Sequence, residues 1–249
     1  MIPRSHPRYI SLKTREEIEQ GVALGIVSLN GLIAHGRGEA FDYLIGEKTH
    51  EFAKKSIHAA AALLLLAKHP VISVNGNTAI LSAKELVTLA SLLNAPLEVN
   101  IFHPSKTREK NIKKYLETHG ALHVLLPQKK YTIEHLASNR KFVNKDGIFI
   151  ADVVFVPLED GDRAEALIKN GKKVITIDLN PLSRTAQKSS ITIVDNITRA
   201  LPQLTAQIKK MKQAEGADDL KKHVQEYNNS VMLQEALDCV VKLWMQSPK

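Results

Sequence analysis

The chain has 249 residues, 44% of them hydrophobic, with 34 Lys+Arg against 26 Asp+Glu for a formal net charge of +8. That length and apolar content exclude disorder as the main state and support a core without disulfides or a structural metal. With 12 Gly and 10 Pro the chain is neither collagen-like nor a linker, and a single cysteine, Cys239, excludes an internal disulfide or a Cys-based zinc cluster.

The start, Met1 to His6, lacks the apolar core of a secretory signal. Thr14 to Glu17 has the Thr-x-x-Glu form of a capping box, and Ile18, Val22 and Ile26 follow at helical spacing, which predicts a first helix. A Gly-rich loop is expected from Gly31 to Gly46, then a long buried helix from Thr49 to His69, ended by Pro70. Its most apolar run, Ala59 to Ala67, is roughly half the ~20 residues of a membrane span, so no membrane partner is expected. Together with the lone cysteine, this points to a cytoplasmic protein.

From Val71 the pattern alternates. Val71 to Val74 reads as a strand, and Ser82 to Glu85 as a second capping box opening a helix to about Leu93. Leu97 to Phe102 is a strand, Ser105 to Thr118 a basic helix, and Ala121 to Leu126 a strand. After a lysine-containing connection come a strand at Ala151 to Val156, a helix at Asp162 to Lys169, and strands at Lys173 to Asp178 and Ile191 to Val194. Ile197 onward is helical, and Asp218 to Met245 is a helical tail with a break near Asn228-Asn229.

Continuous apolar strands separated by helices predict a mainly parallel sheet covered on both faces, a doubly wound, Rossmann-like α/β fold with helical segments at both ends. A single domain is expected over 1–249: a helical part at 1–70, an alternating core at 71–200 and C-terminal helices at 201–249. Ligands of such sheets bind beyond the carboxyl ends of the strands. That selects the polar loops Asn75 to Asn77, His103 to Ser105, Glu159 to Asp162, Asp178 to Thr185, and Asp195-Asn196.

Two of these regions carry phosphate chemistry. Gly36 and Gly38 bracket Arg37, so backbone can approach a ligand while a guanidinium fork meets it, although a solvated arginine in a tight loop reads equally well. The stretch is neither a dinucleotide fingerprint nor a Walker A loop. Asp178 to Thr185 combines carboxylate, amide, hydroxyl and arginine, suited to adenosine and phosphates; the plain alternative is an Asn180-Pro181 turn with Ser183 as a helix cap. Arg15, in the first turn of its helix, opposes the helix dipole by a small penalty and is compatible with a phosphate contact, although by itself a solvated arginine is the better reading. His6, His35 and His103 lie in polar loops. The basic helix from Lys106 to Lys114 has only Tyr115 as a nearby ring, so a solvated or phosphate-steering face is favoured over nucleic-acid binding. No side-chain metal site is evident.

His6 to Tyr9, Gly31 to Glu47, Val74 to Asn77, Glu159 to Arg163 and Asp178 to Ala186 resemble the archaeal phosphopantothenate synthetases, the 4-phosphopantoate–beta-alanine ligases. The resemblance runs from about His6 to beyond Arg199. It implies a homodimeric enzyme of coenzyme A biosynthesis that joins 4-phosphopantoate to beta-alanine through an acyl-adenylate, converting ATP to AMP and pyrophosphate with Mg2+. Carried over by motif, the ATP contacts are Arg15, Arg37, Asp178, Leu179, Asn180, Arg184, Thr185, Asn196 and Ile197. Arg37 and Arg184 are expected to stabilise transition-state charge. The candidates for the other substrates are His6, Arg8, Asn75, Asn77, His103, Ser105 and Arg108. The competing readings are a non-catalytic nucleotide-binding regulator and a nucleic-acid-binding protein.

Overall fold

The runs of branched residues between helices do pair as strands. In chain order, the computed structural model contains α1 (Tyr9–Ala23), α2 (Leu29–Leu44), α3 (Glu51–Leu66), β1 (Pro70–Val74), α4 (Gly76–Leu93), β2 (Leu97–Val99) and α5 (Lys106–Thr118). There follow β3 (Val124–Leu125), β4 (Gln128–Thr132), β5 (Phe142–Val143), β6 (Val153–Phe155), α6 (Gly161–Lys169), β7 (Lys173–Ile177) and α7 (Arg184–Lys188). The chain closes with β8 (Ile191–Ile193), α8 (Ile197–Ala214), α9 (Ala217–Glu226) and α10 (Asn229–Gln246). The structure describes residues 2–246, so Met1 and 247–249 of the expected end segments lie outside the described residues.

Six strands form one parallel sheet in the order β3-β2-β1-β6-β7-β8. The order reverses between β1 and β6, which makes their carboxyl ends the topological switch point of a Rossmann-like fold. Register brings Ile72 beside Leu97 and Phe155, Phe155 beside Ile175, and Ile177 beside Ile193. These side chains share one face and form the larger core with apolar residues of α3, α4 and α8. The opposite face carries Val71, Val154, Val156 and Val174 against Ala164 and Leu167 of α6. Strands buried on both faces explain the unbroken apolar runs.

Four expectations need correction. The expected Gly-rich loop from Gly31 to Gly46 is the helix α2, despite a cost of up to ~1 kcal/mol per glycine relative to alanine. Tertiary contacts along its inner face override that propensity. Thr14 is not a cap: α1 begins at Tyr9, and the Thr14 hydroxyl donates back to the Ser11 carbonyl at 2.7 Å. Arg15 is therefore mid-helix. Likewise α4 begins at Gly76, capped by Asn75, whose Oδ1 accepts from Thr78 N–H at 3.0 Å. Ser82 marks a kink inside it (φ −152°, ψ 32°), and its hydroxyl has no hydrogen-bond partner. The connection after β3 contains a small antiparallel pair, β4 with β5. The break at Asn228-Asn229 separates α9 from α10 as expected.

Candidate active site at the carboxyl edge of the sheet

The glycines of α2 decide where the helix lies. Gly31, His35, Gly38 and Asp42 recur every three or four residues and so share one face. The Gly31 carbonyl accepts from Asn77 Nδ2 at 2.8 Å, just beyond β1. Asn30 Nδ2 lies 2.7 Å from His103 Nε2, beyond β2. A methyl group at Gly38 would sit 3.6 Å from Leu179 Cδ1, beyond β7. The Asp42 carboxylate accepts from Asn196 Nδ2 at 2.9 Å and from Arg199 Nη2 at 2.5 Å, beyond β8. α2 therefore crosses the carboxyl edge from β2 to β8. About twelve residues at ~1.5 Å rise cover ~18 Å, close to the ~19 Å of four strand spacings.

Beneath the helix the polar loops are closely hydrogen-bonded. Asp178 follows β7; its Oδ1 accepts from Asn180 N–H at 2.9 Å and its Oδ2 from the Ser183 hydroxyl. Burial pushes this carboxyl above its usual range, opposed by those two donors and by Arg37. Asn180 Oδ1 accepts from Leu182 N–H at 2.9 Å, and Ser183 Oγ caps α7 through Ala186 N–H at 2.9 Å. The turn and cap anticipated as the plain alternative are thus both present, and the segment ends in a helix from Arg184. Arg184 lies over Gly161 and pairs with Glu165; with Lys169 it holds that carboxylate down to about 2. The Thr185 hydroxyl donates to the Glu159 carbonyl at 2.7 Å. Leu179 is buried, Asn196 caps α8 through Thr198 N–H at 3.1 Å, and Ile197 is buried as its first residue.

The other expected residues divide into two groups. Asn75, Asn77, His103, Ser105 and Arg108 are at the edge. Asn75 Nδ2 donates to the Leu158 carbonyl at 2.9 Å, bridging the ends of β1 and β6. Ser105 caps α5, and Arg108 Nη1 donates to the His103 carbonyl at 3.3 Å. By contrast, His6, Arg8 and Arg15 belong to α1 and its approach. Arg15 Nε meets both Glu39 oxygens at 2.9 Å, and Arg8 pairs with Glu39 at 3.2 Å and Glu47 at 3.0 Å. His6 Nδ1 accepts from Arg8 N–H at 3.0 Å.

Sequence reasoning selected the Glu159 to Asp162 loop but missed the ion network that supports the switch point. The buried Glu159 carboxylate pairs with Arg163, one helical turn on, and with Arg140, which arrives from the β4–β5 segment. Arg140 Nη1 also donates to Asp160 Oδ2 at 2.6 Å, and its Nε to Asn100 Oδ1 at 2.9 Å. The Glu159–Arg163 spacing was a visible signal; Arg140 had none. Among the described residues no group of three His, Cys, Asp or Glu side chains is placed to hold a metal ion.

The sequence match is extensive. The family model for phosphopantothenate/pantothenate synthetase matches residues 52–243. The 4-phosphopantoate–beta-alanine ligase of Methanosarcina mazei is 51% identical over 236 residues, 95% of this chain and 92% of that protein. Its counterpart from Thermococcus kodakarensis is 50% identical over 237 residues, 95% of this chain and 90% of that protein. That of Methanospirillum hungatei is 55% identical over 202 residues, 81% and 82% of the two chains. With the matched region running from α3 through every strand of the sheet into α10, the chain belongs to the phosphopantothenate/pantothenate synthetase family.

Proposed function

We propose that the chain is an ATP-dependent ligase that condenses 4-phosphopantoate with beta-alanine in coenzyme A biosynthesis, releasing AMP and pyrophosphate. The observation that carries this reading is the course of α2 along the carboxyl edge, which roofs the switch point beside the Asp178 to Arg184 segment, with Arg37 exposed on the flank of the helix. The likeness to the named ligases outweighs the two non-catalytic readings. The nucleotide is held by Arg15, Arg37, Asp178 to Asn180, Arg184, Thr185, Asn196 and Ile197. The N-terminus of α5, with Ser105, Arg108 and His103, suits the substrate's own phosphate; Asn75, Asn77, His6 and Arg8 complete the candidates for phosphopantoate and beta-alanine.

A 4-phosphopantoate carboxylate oxygen attacks the α-phosphorus of ATP, the bond to the β-phosphate oxygen breaks, and pyrophosphate leaves. Arg37 and Arg184 offset charge on the phosphoryl oxygens. Mg2+ bound with the triphosphate would neutralise part of its charge. Beta-alanine nitrogen then attacks the acyl carbon, the bond to the phosphate oxygen breaks, and AMP leaves. Holding both substrates in line contributes up to ~7–11 kcal/mol to such a joining.

The unit is one domain, cytoplasmic, and a homodimer. Leu29, Ile33, Tyr43 and Leu44 expose an apolar outer face on α2, which suits a second copy. Ile33→Asp would then yield a monomer in sedimentation. The adenylate route is tested by isotope exchange. ATP and 4-phosphopantoate without beta-alanine should incorporate labelled pyrophosphate into ATP; a strict requirement for beta-alanine, with no trappable adenylate, overturns it.

A further inference from the structure

The inner face of α2 places one titratable side chain over the switch point. His35 lies about five residues beyond Asn30 and seven before Asp42, so at ~1.5 Å per residue it stands between the ends of β1 and β6. Of its neighbours on that face, Gly31 is packed against Asn77 and Val27, and Gly38 carries no side chain, with Leu179 Cδ1 3.6 Å from where a methyl group would sit. The imidazole is half-buried, and its Nε2 is shut off from solvent without a hydrogen-bond partner in the protein. Burial holds the ring below its usual range, Arg15 adds to this, and Glu39 and Asp42 oppose it.

Among the described residues, the edge's other acid–base groups are already engaged, Asp162 excepted. Asp178 is taken by Ser183 and Asn180, Glu159 by Arg140 and Arg163, and Asp160 by Arg140. Asp42 is held by Arg199 and Asn196, and Asp195 by Arg199 and Thr49. Glu39 binds Arg8 and Arg15, Glu165 binds Arg184, and His103 Nε2 meets Asn30. Asp162 is exposed on the first turn of α6. An imidazole nitrogen without a partner in the protein, placed over the switch point, is suited to accept a proton once a substrate reaches it.

We propose that His35 is a catalytic residue of the amide-forming half-reaction, a role that rests on the acyl-adenylate reading above. Beta-alanine's ammonium gives one proton to water on entering the crevice. The free nitrogen pair then forms the C–N bond, its second proton passes to His35 Nε2, and the acyl C–O bond breaks, so that AMP leaves with the electron pair. His35 returns the proton to water when the product departs.

The test compares the two half-reactions in His35→Gln, which keeps a polar side chain of similar reach, and in His35→Ala. Pyrophosphate exchange without beta-alanine should stay within about threefold of the wild type. Single-turnover amide formation should fall ~10²–10⁴-fold, the usual contribution of a general base. Hydroxylamine, unprotonated at neutral pH, should still trap the adenylate at nearly the wild-type rate, and added imidazole should restore part of the amide rate in His35→Ala. The proposal is overturned if exchange falls in parallel with amide formation, because His35 then serves the nucleotide or the phosphopantoate. It is equally overturned if amide formation is unchanged. Failure of the wild type itself to exchange would instead count against the adenylate route, so the two ideas fail separately.

Discussion

Alanine substitution at two glycines of α2 should have opposite effects, because one glycine touches the sheet edge and the other does not. In an isolated helix each change would stabilise by up to ~1 kcal/mol, since glycine is the poorer helix former. At Gly36 nothing lies within 4 Å of an added methyl group, so Gly36→Ala should realise ~0.5–1 kcal/mol. At Gly31 the methyl would run into the Asn77 carboxamide oxygen and sit 2.6 Å from Val27 Cγ1. Neither neighbour yields readily: Val27 is β-branched and 3% exposed, and Asn77 is tied to the Gly31 carbonyl. Overpacking of this kind costs ~1–3 kcal/mol, which offsets the gain in propensity and leaves a net loss of up to about 2 kcal/mol. For a chain of this length that is up to roughly 8 °C in Tm at ~2–4 °C per kcal/mol. Urea titrations of both variants, with KM for ATP measured beside them, decide the matter. Gly31→Ala should also raise KM, because α2 must lift off the edge. If both variants are stabilised and both keep the wild-type KM, α2 is not seated on the sheet as described.

Arg37→Lys should not be silent: exchanging a bidentate fork for a point charge at a phosphate loses ~1.5–3 kcal/mol, read as a ~10- to 150-fold drop in ligase kcat/KM, and wild-type activity would refute the assignment. Arg184→Ala should weaken ATP far more than adenosine in calorimetric titrations, and equal losses for both would place the guanidinium away from the phosphates. Asn180→Ala should weaken both ligands by about 5- to 150-fold with the circular dichroism spectrum unchanged; undiminished affinity would make that segment a turn and nothing more. The last prediction concerns Glu98 on β2, whose carboxyl is raised from 4.5 to about 7, first by burial and against the N–H groups of Ile148 and Asn144. The folded chain then holds a proton that the unfolded chain has released between those values. Stability should be full below about 4.5 and fall by roughly 3 kcal/mol as pH rises through 7. Urea midpoints across that range should show this slope in the wild type and a flatter one in Glu98→Gln; identical slopes would refute the origin assigned to it.

Much of the fold was legible because it rests on local signals. Val71 to Val74, Val174 to Ile177 and Ile191 to Ile193 are rich in β-branched residues, with no charge and only Ser73, Thr176 and Thr192 polar, a composition that suits strands of a doubly covered parallel sheet. The break at Asn228-Asn229 and the basic helix after Ser105 were likewise local. The loops after the strands followed from the rule for open α/β sheets, and the motifs within them pointed to a ligase family. Tertiary structure alone decided the rest. Gly31, Gly36 and Gly38 look like a loop in sequence because glycine disfavours helices, yet hydrogen bonds from Asn77 and Asn196 hold α2 on the edge. The capping boxes at Thr14 and Ser82 proved interior because capping depends on where the preceding backbone leaves the helix, and here it does not. Arg140 reaches Glu159 across a connection with no periodic signal. His35 was visible only as a polar loop residue; its place over the switch point exists because a helix of fixed rise spans strands of fixed spacing, a match that no local stretch of sequence encodes.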